Sequence, residues 1–249
     1  MCGRFTLRTS LADLRQLFFP QDDPDVFSAA IQSVLNQPRY NIAPTQSVAV
    51  IRQLDGDAPE FAAMRWGFIP NWADDVAIGA RMINARSETI DEKRSFKNAF
   101  QNQRCLIPAD GYYEWQKAGS VKQPYFLHQP DDASFAMAGL WELNTKASDD
   151  SSPIASFTVI TTAANSVTGK IHDRMPVILD NKDFDAWLDP SFHDTSSLKK
   201  HLTAAAEDFF EITAVSRRVN HVANDGPECI EPVTPKPEGP KTTQATLFD

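Results

Sequence analysis

The sequence lacks the features that mark several classes of protein. Its 249 residues contain no apolar run that approaches the roughly 20 residues of a membrane span. The apolar run at 5–7 is too short for a signal peptide, and Arg4 and Arg8 flank it. A glycine-rich phosphate loop and an internal repeat are also missing. These absences argue against a membrane protein, a secreted protein and a phosphate-loop enzyme.

Cysteine is scarce as well. The three cysteines, Cys2, Cys105 and Cys229, are an odd number and lie far apart, which argues against a disulfide scaffold and for a reducing compartment. The sequence has no Cys-x-x-Cys or His-x-x-x-His cluster. We therefore expect a cytoplasmic protein that uses no metal or other cofactor.

Positive charge is in deficit, with a formal net charge of −9. This balance at first opposes nucleic-acid binding, which depends on basic surface. Net charge is nevertheless a poor guide to the local field. The acidic pairs fall in predicted loops, whereas six of the thirteen arginines stand in apolar, motif-like contexts: Arg4, Arg65, Arg81, Arg86, Arg104 and Arg174. The charge balance therefore leaves DNA binding open.

Short strands and helices follow one another without βαβ alternation. The pattern predicts strands at 47–53, 60–66, 104–108, 112–115, 125–128, 135–141, 156–162 and 209–215. It predicts helices after a capping box at Ser10 and Asp13, from Asp23-Pro24 to residue 35, and at 91–102, 182–188 and 196–205. Segment 39–45 has the composition of a loop. With 42% hydrophobic residues, enough for a core, we predict an α+β fold with a mainly antiparallel sheet.

The composition changes from Glu231 onward. Prolines alternate with polar residues, so we predict that residues 233–249 form a disordered, proline-rich tail. The tail carries an apolar pair, Leu247 and Phe248, that has no core to join. That pair suggests a docking peptide, and the alternative is an inert tail.

The chemistry of the chain concentrates at Met1-Cys2-Gly3-Arg4. If Met1 is removed, Cys2 carries an α-amine with a pKa of about 8 and a thiol with a pKa of about 8.5 on adjacent carbons. An aldehyde can form an imine with the amine, and the thiol can then close a thiazolidine ring on the same carbon. An internal cysteine cannot do this, because its nitrogen lies in an amide. The alternative is that Cys2 is a small apolar residue at the start of a strand.

Other polar residues stand in unusual contexts. Glu114 lies between aromatic residues, where it either points to water or points inward and transfers protons with a raised pKa. Asn84 and Arg86 are two positions apart, so their side chains would face the same side of an extended chain. A lone histidine is usually structural, but His172 stands beside Asp173 on a predicted loop at a strand mouth, where site residues tend to lie.

The aromatic stretch from Trp66 to Trp72 is broken by glycine and proline. It is either a loop that caps the core or a surface on which exposed bases stack.

Together these segments resemble the SRAP family, the SOS-response-associated peptidases, now viewed as abasic-site processing proteins. The matching segments are Met1-Cys2-Gly3-Arg4-Phe5, Tyr40-Asn41-Ile42-Ala43-Pro44, Trp66-Gly67 with Trp72, Ile83-Asn84-Ala85-Arg86-Ser87-Glu88-Thr89, Arg104-Cys105-Leu106-Ile107-Pro108 through Gly111 to Glu114-Trp115, and Ile171-His172-Asp173-Arg174-Met175-Pro176. Each motif alone is weak, but all occur in the family's order. The resemblance covers residues 1–232 and implies a single domain with a β-barrel-like core flanked by helices, and a DNA groove.

The resemblance also implies a function. Such proteins bind single-stranded DNA at an abasic site, and Cys2 would form a thiazolidine with the sugar aldehyde that shields the lesion during the DNA damage response. By motif position the catalytic residues would be Cys2, Asn84, Glu114 and His172, and the DNA-binding residues would be Arg4, Pro44, Trp72, Arg86 and Arg174. A weak strand-cleaving lyase activity and removal of Met1 as a peptidase activity would accompany capture. A bacterial member would be associated with the nucleoid.

The tail resembles a further pattern. Gln244, Leu247 and Phe248 fit the Gln-x-x-Leu-Phe peptide by which bacterial replication and repair proteins dock on the sliding clamp. The clamp is therefore an expected partner.

Two other functions remain open at this point. In an N-terminal-nucleophile amidohydrolase the Cys2 thiol would attack an amide, its α-amine would act as the base, and Asn84 would help to stabilise the oxyanion. In a non-enzymatic sensor the protein would bind single-stranded DNA and recruit the clamp without chemistry.

Overall fold

Two β-sheets and a few short helices make up the fold. The protein is described by a computed structural model at residues 2–19, 28–118, 121–148 and 152–235. The strands are β1 Phe5–Leu7, β2 Arg39–Ile42, β3 Ser47–Arg52, β4 Glu60–Trp66, β5 Asn84–Arg86, β6 Arg104–Ala109, β7 Gly111–Ala118, β8 Val121–His128, β9 Phe135–Asn144, β10 Ile154–Ala163, β11 Arg174–Pro176, β12 Ile178–Leu179 and β13 Glu211–Ala214. The α-helices are α1 Leu11–Phe18, α2 Ala29–Val34, α3 Lys97–Asn102, α4 Phe184–Leu188 and α5 Thr195–Lys200. Turns of 3₁₀ helix occur at Val76–Arg81, Ser87–Thr89, Thr168–Lys170, Asn181–Asp183, Arg217–Asn220 and Pro227–Cys229.

The larger sheet closes on itself. Strand β10 pairs in parallel with β4 and antiparallel with β9, so the strands β10, β4, β3, β6 and β9 form a closed ring. The short strand β5 also pairs in parallel with β10. The smaller sheet has the order β13-β8-β7-β1-β2 and is antiparallel. This architecture confirms the predicted α+β fold, a single domain with a mainly antiparallel, barrel-like core.

Aromatic side chains connect the two sheets. Phe5 of β1 packs edge-on against Trp66 of the ring at 5.1 Å between ring centroids, and Trp66 stacks on Phe157 of β10 at 6.3 Å. All three side chains are fully buried. Burial of each large apolar side chain contributes about 1.5–3 kcal/mol. The first strand is therefore fixed against the ring by the main core.

A smaller cluster lies on the other face of the small sheet. It consists of Tyr113, Phe126, Val215, Val219 and Cys229. Both faces of β7 are therefore covered, one by the main core and the other by the C-terminal part of the domain.

One buried arginine supports the helices and not the candidate site. The Arg104 side chain is 1% exposed, and burial lowers its pKa to about 10, so it stays charged at neutral pH. Its guanidinium donates to the backbone carbonyls of Phe100, Gln101, Trp187, Asp189 and Phe192, at the ends of α3 and α4. A buried cation is tolerated there because helix C-termini present unpaired carbonyl groups.

Several elements match the sequence-based predictions. Ser10 caps α1 by accepting from the Asp13 N–H at 3.2 Å, and its hydroxyl donates to the Asp13 carboxylate at 2.6 Å. The predicted strands 47–53 and 60–66 correspond to β3 and β4, and their hairpin turns at Gly56, which has a φ of +78°. The predicted strands 104–108, 112–115, 125–128, 135–141, 156–162 and 209–215 correspond to β6, β7, β8, β9, β10 and β13.

Other predictions are wrong, either in the type of element or in its bounds. Segment 39–42 is not a loop but strand β2, because β1 pairs with it and the Asp225 carboxylate accepts from the N–H groups of Tyr40 and Asn41. The helix predicted at 91–102 begins at Lys97, and the helix predicted at 196–205 ends at Lys200. The predicted helix start at Asp23-Pro24 and the tail residues Gln244, Leu247 and Phe248 lie outside the described residues. Among the described residues, no helix is long and apolar enough to cross a membrane.

Gly67 gives a test of the fold at the point where the chain leaves the ring after β4. Its φ is +123°, and a Cβ there would lie 2.7 Å from the carbonyl oxygen of Gly79. We expect Gly67→Ala to lower the free energy of unfolding by about 3 kcal/mol, since backbone strain and overpacking each cost about 1–2 kcal/mol or more. Urea denaturation measures the loss. The matched control is Gly56→Ala, also at positive φ but with open space around the new Cβ. An equal loss in both variants would contradict the close approach of the two loops.

Candidate active site around Cys2

The segment before β1 continues along β7 and ends in the interior. The Tyr113 N–H donates to the Arg4 carbonyl at 3.0 Å, and Phe5 pairs with Tyr112. Cys2 is fully buried and belongs to the main core. Its carbonyl accepts a hydrogen bond from Asn84 Nδ2 at 2.8 Å. Because Asn84 lies on β5, which pairs with the ring, Cys2 is positioned where the small sheet meets the barrel.

Glu114 lies on β7 two residues after Tyr112, so both side chains face the same side of the strand. Of the two orientations that the sequence allowed, the structure has the inward one, with Glu114 only 4% exposed. Burial raises the pKa of Glu114 to about 7. The carboxyl group is therefore close to half protonated at neutral pH, which suits a group that both accepts and donates a proton.

The pKa of the Cys2 thiol is also raised, but here the effect on reactivity is unfavourable. Burial, and then the charge of Glu114, raises the pKa of the Cys2 thiol far above its ordinary range. The thiol is therefore protonated at neutral pH and needs a base before it can act as a nucleophile. The effect of the Glu114 charge on the Cys2 thiol places the two groups in the same part of the site.

His172 precedes β11 on a turn at the rim of this site. Its Nδ1 accepts from the Arg174 backbone N–H at 3.0 Å, and burial lowers the pKa of the ring. The Asp173 carboxylate lies 2.9 Å from the same nitrogen but is 87% exposed, so it offsets this lowering only in part. The neutral ring carries its proton on Nε2, because Nδ1 is the acceptor. The charge of Asp173 also raises the pKa of Glu114, after the effect of burial, which places this turn near the carboxyl group.

The three predicted phosphate-binding arginines differ in their surroundings. Arg4 donates from Nη1 to Asn41 Oδ1 and to the Val219 carbonyl, both at 2.7 Å, and lies 5.9 Å over the Trp115 ring. Arg174 binds the Glu88 carboxylate with both terminal nitrogens and the Thr161 carbonyl. Arg86, at the end of β5, is exposed. Arg86 is thus the arginine that presents its side chain to solvent.

The two predicted base-contacting residues lie on loops. Trp72 is 43% exposed, and the Arg94 guanidinium lies 5.4 Å from its ring centre. Pro44 is half-buried and precedes Thr45, which has a φ of +74°. An exposed indole on a loop is available for stacking, whereas most large aromatic side chains of the chain are buried.

Sequence reasoning missed two features of the site. Tyr112 was assigned to a strand and given no role, yet its fully buried hydroxyl is on the face of β7 that carries Glu114. Glu88 was part of a motif, but nothing in the sequence showed that it pairs with Arg174. No signal in the sequence could have singled out Tyr112, because apolar residues lie on both faces of β7 and obscure its period of two. In the described ranges, no group of three or more His, Cys, Asp or Glu side chains could hold a metal ion.

The fold combines a closed five-stranded ring with an attached antiparallel sheet, and a cysteine is buried where the two meet. The protein is therefore a mixed α+β protein with a candidate cysteine nucleophile. The family model described as SOS response associated peptidase (SRAP) matches residues 1–222. The chain therefore belongs to the SRAP family, which confirms the resemblance seen in the sequence.

Several relatives are similar over most of their length. The abasic site processing protein YoqW of Bacillus subtilis is 40% identical over 233 residues, which cover 93% of this chain and 99% of that protein. The abasic site processing protein YedK of Escherichia coli is 31% identical over 237 residues, or 94% of this chain and 100% of that protein. The abasic site processing protein HMCES of Gallus gallus is 32% identical over 265 residues, or 94% of this chain and 78% of that protein.

Solved structures agree with the fold. A protein from Bacteroides thetaiotaomicron superposes with a TM-score of 0.81 at 24% identity, covering 94% of this chain and all 100% of that one. A phage-related protein from Bordetella bronchiseptica has a TM-score of 0.67 at 28% identity, covering 87% of this chain and 95% of its own.

The raised pKa of Glu114 predicts how stability depends on pH. The folded protein keeps this proton up to a pH of about 7, whereas the unfolded chain releases it near its ordinary value of 4.5. Stability therefore falls as the pH rises through this window. We expect Glu114→Gln to raise the free energy of unfolding by up to about 3 kcal/mol at pH 8 and to change little at pH 4. Thermal or urea unfolding at the two pH values measures the difference.

Glu88→Gln is the control variant, because in the wild-type protein the pKa of Glu88 is shifted in the opposite direction from that of Glu114. The hydrogen bond from Arg174 lowers the pKa of Glu88, so that interaction stabilises the fold above pH 4.5 and is lost as the pH falls. Since Glu88 is 49% exposed, its loss costs less than about 1 kcal/mol at pH 8. A Glu114→Gln variant that is less stable than wild type at pH 8 would contradict the assignment.

Proposed function

We propose that this protein processes abasic sites in single-stranded DNA by capturing them covalently through Cys2. The observation that carries the proposal is the position of Cys2, buried between the sheets, held by Asn84 and close to a carboxyl group with a pKa of about 7. The names of the three relatives above, each an abasic site processing protein, support the general function. The covalent chemistry follows from the residue types.

The reaction begins after removal of Met1, which exposes the α-amine of Cys2. The amine nitrogen attacks the C1′ aldehyde of the ring-opened abasic sugar, and loss of one water gives an imine. The Cys2 sulfur then attacks the same carbon as the thiol releases its proton, and the ring nitrogen gains one. The product is a thiazolidine, with one water released in total and no change of oxidation state.

Three side chains serve these steps. Asn84 holds the Cys2 carbonyl through Nδ2, and its buried Oδ1, which has no hydrogen-bond partner in the described parts of the chain, can accept from the α-amine. Glu114 takes the thiol proton, which the thiol cannot release unaided because its pKa is raised. His172 donates from Nε2–H to the sugar oxygen during imine formation and ring closure or reversal.

DNA binding involves the rim of the site. Arg86, Arg4 and Arg174 contact phosphates through charge-assisted hydrogen bonds, while Trp72 and Pro44 pack against bases beside the lesion. Because the net charge is −9, this binding depends on a local basic surface and weakens strongly with salt.

Two minor activities follow from the same chemistry. An imine acidifies the C2′ proton of the sugar, so slow strand cleavage competes with ring closure as a lyase reaction. Removal of Met1, by the protein itself or by an aminopeptidase, is the peptidase reaction that this site supports. We also propose that the tail peptide with Gln244, Leu247 and Phe248 docks on the sliding clamp, on the basis of its pattern alone.

Covalent capture has a direct test. Protein that lacks Met1 is incubated with a single-stranded oligonucleotide that carries one abasic site, and the products are separated on a denaturing gel. We expect a heat-stable shifted band for wild type and none for Cys2→Ala. Because Cys2→Ala keeps the α-amine, borohydride should restore its band by reducing the imine, and untreated samples should show more strand cleavage.

Cys105→Ala and Cys229→Ala are the matched controls, since both cysteines are buried but their nitrogens lie in amides. They should form the band as wild type does. Intact abasic DNA with no band from wild type would overturn covalent capture. That outcome would favour either a passive sensor or an amidohydrolase, which acyl-enzyme kinetics with small amides would reveal.

Phosphate binding by Arg86 is tested without the covalent step. We measure the affinity of Cys2→Ala protein for single-stranded DNA that carries a tetrahydrofuran abasic analogue, which has no aldehyde, at several salt concentrations. Arg86→Ala in this background should weaken binding and reduce the salt slope by about 0.7, the value for one phosphate contact on a single strand. Lys182→Ala, whose ammonium pairs with Asp180 before α4, should leave the slope unchanged. Equal slopes for both variants would remove Arg86 from the interface.

A further inference from the structure

Tyr112 lies near the start of β7, on the strand face that also carries Glu114. It pairs with Phe5 on one side and with Leu127 on the other, and Phe210 packs edge-on against its ring at 5.3 Å. The side chain is fully buried in the main core, the same cluster that contains Cys2. The next residue, Tyr113, belongs to the smaller cluster on the opposite face. Strand alternation therefore directs Tyr112 and Glu114 toward Cys2 and directs Tyr113 away from it.

The Tyr112 hydroxyl is one of the few polar side-chain atoms in the described part of this core that lack a partner. Within the described residues it has no hydrogen-bond partner, although it is completely buried. A phenylalanine would fill the same space without an unsatisfied polar atom, so packing does not explain the hydroxyl. Asn84, which holds the Cys2 carbonyl through Nδ2, has a buried Oδ1 that also lacks a partner in those residues. Two such atoms on residues around the candidate site indicate a site prepared for groups that form during a reaction.

The surroundings determine what the hydroxyl can do. Burial, followed by the charges of Cys2 and Glu114, raises the pKa of Tyr112 well above its ordinary value. The hydroxyl therefore keeps its proton at any physiological pH and acts as a hydrogen-bond donor. The Cys2 sulfur already accepts a hydrogen bond from the Arg4 backbone N–H, yet burial and the charge of Glu114 both oppose the thiolate, so a second donor would stabilise it.

We propose that Tyr112 is a further catalytic residue, whose hydroxyl donates a hydrogen bond to the Cys2 sulfur as the thiolate forms. The inference rests on the proposed function but concerns the sulfur step alone. The thiol proton passes to Glu114, the sulfur bonds to the imine carbon, and the electron pair of the C=N bond moves to nitrogen, which takes a proton. Tyr112 keeps its own proton throughout. When the ring reopens, the same hydrogen bond stabilises the leaving sulfur.

The test compares Tyr112→Phe with Tyr113→Phe. The Tyr113 hydroxyl donates to the Tyr40 carbonyl at 2.7 Å, so its loss should lower stability without changing the chemistry. Tyr112→Phe should fold with stability equal to or above that of wild type. In the abasic-DNA assay it should close the ring about 10- to 100-fold more slowly, the usual effect of losing a hydrogen bond to a charged group. The yield of imine trapped by borohydride should stay unchanged.

A second measurement is independent of DNA. Alkylation of Cys2 by iodoacetamide, followed by mass spectrometry of the N-terminal peptide over a range of pH, reports thiolate formation directly. Tyr112→Phe should slow this alkylation about tenfold and move its pH midpoint upward. Tyr113→Phe should not. This result supports the inference even if wild type captures no abasic DNA, which would overturn the proposed function alone.

The inference is overturned if Tyr112→Phe alkylates and closes the ring at wild-type rates. It is also overturned if Tyr112→Phe slows imine trapping as much as ring closure, because the residue would then act on binding or on the amine.

Discussion

The hydrogen bond from Asn84 to the Cys2 carbonyl is the contact on which the candidate site depends. Strand β1 has three residues, and the residues before it would be free to move without an anchor. Pairing with β7 fixes Arg4, and Asn84, from the strand that lies beside β10, fixes Cys2. Ordering each backbone residue costs about 1–2 kcal/mol, which burial of Cys2 and Phe5 helps to offset. The candidate nucleophile is therefore held in one position by the fold itself.

Burial raises the pKa values of both Cys2 and Glu114, but it affects their reactivity in opposite ways. It makes the Cys2 thiol a poor nucleophile by raising its pKa, and it raises the pKa of Glu114 to about 7, near the pH at which a base is most useful. A thiol in this state reacts slowly with oxidants and alkylating agents, because the thiolate is the reactive form. The order of the proposed steps follows, since an amine attacks without a thiolate and brings the imine carbon next to the sulfur.

Many of the helices and strands were predictable from the local sequence pattern. The closure of the larger sheet into a ring was not. The Ser10 cap and the β3–β4 hairpin depend on neighbouring residues, so the sequence alone indicated both. The parallel pairing of β10 with β4 joins segments about ninety positions apart, and alternation within a strand carries no information about its partner. The orientation of Glu114 was ambiguous for a related reason. Both faces of β7 are covered, so apolar residues occur on both and the period of two is obscured.

The face of β7 opposite the site explains why the C-terminal part of the domain matters to Cys2. There Tyr113 bonds to the Tyr40 carbonyl, and Trp115 Nε1 donates to Asn220 Oδ1 at 2.7 Å. Arg4 reaches the Val219 carbonyl, a partner 215 positions away that sequence reasoning could not supply. One strand thus carries candidate catalytic groups on one face and, on the other, the contacts that hold the segment containing Cys2. Residues near both ends of the family's matched region meet at β7, so the position of Cys2 is a property of the whole domain and not of its N-terminal motif.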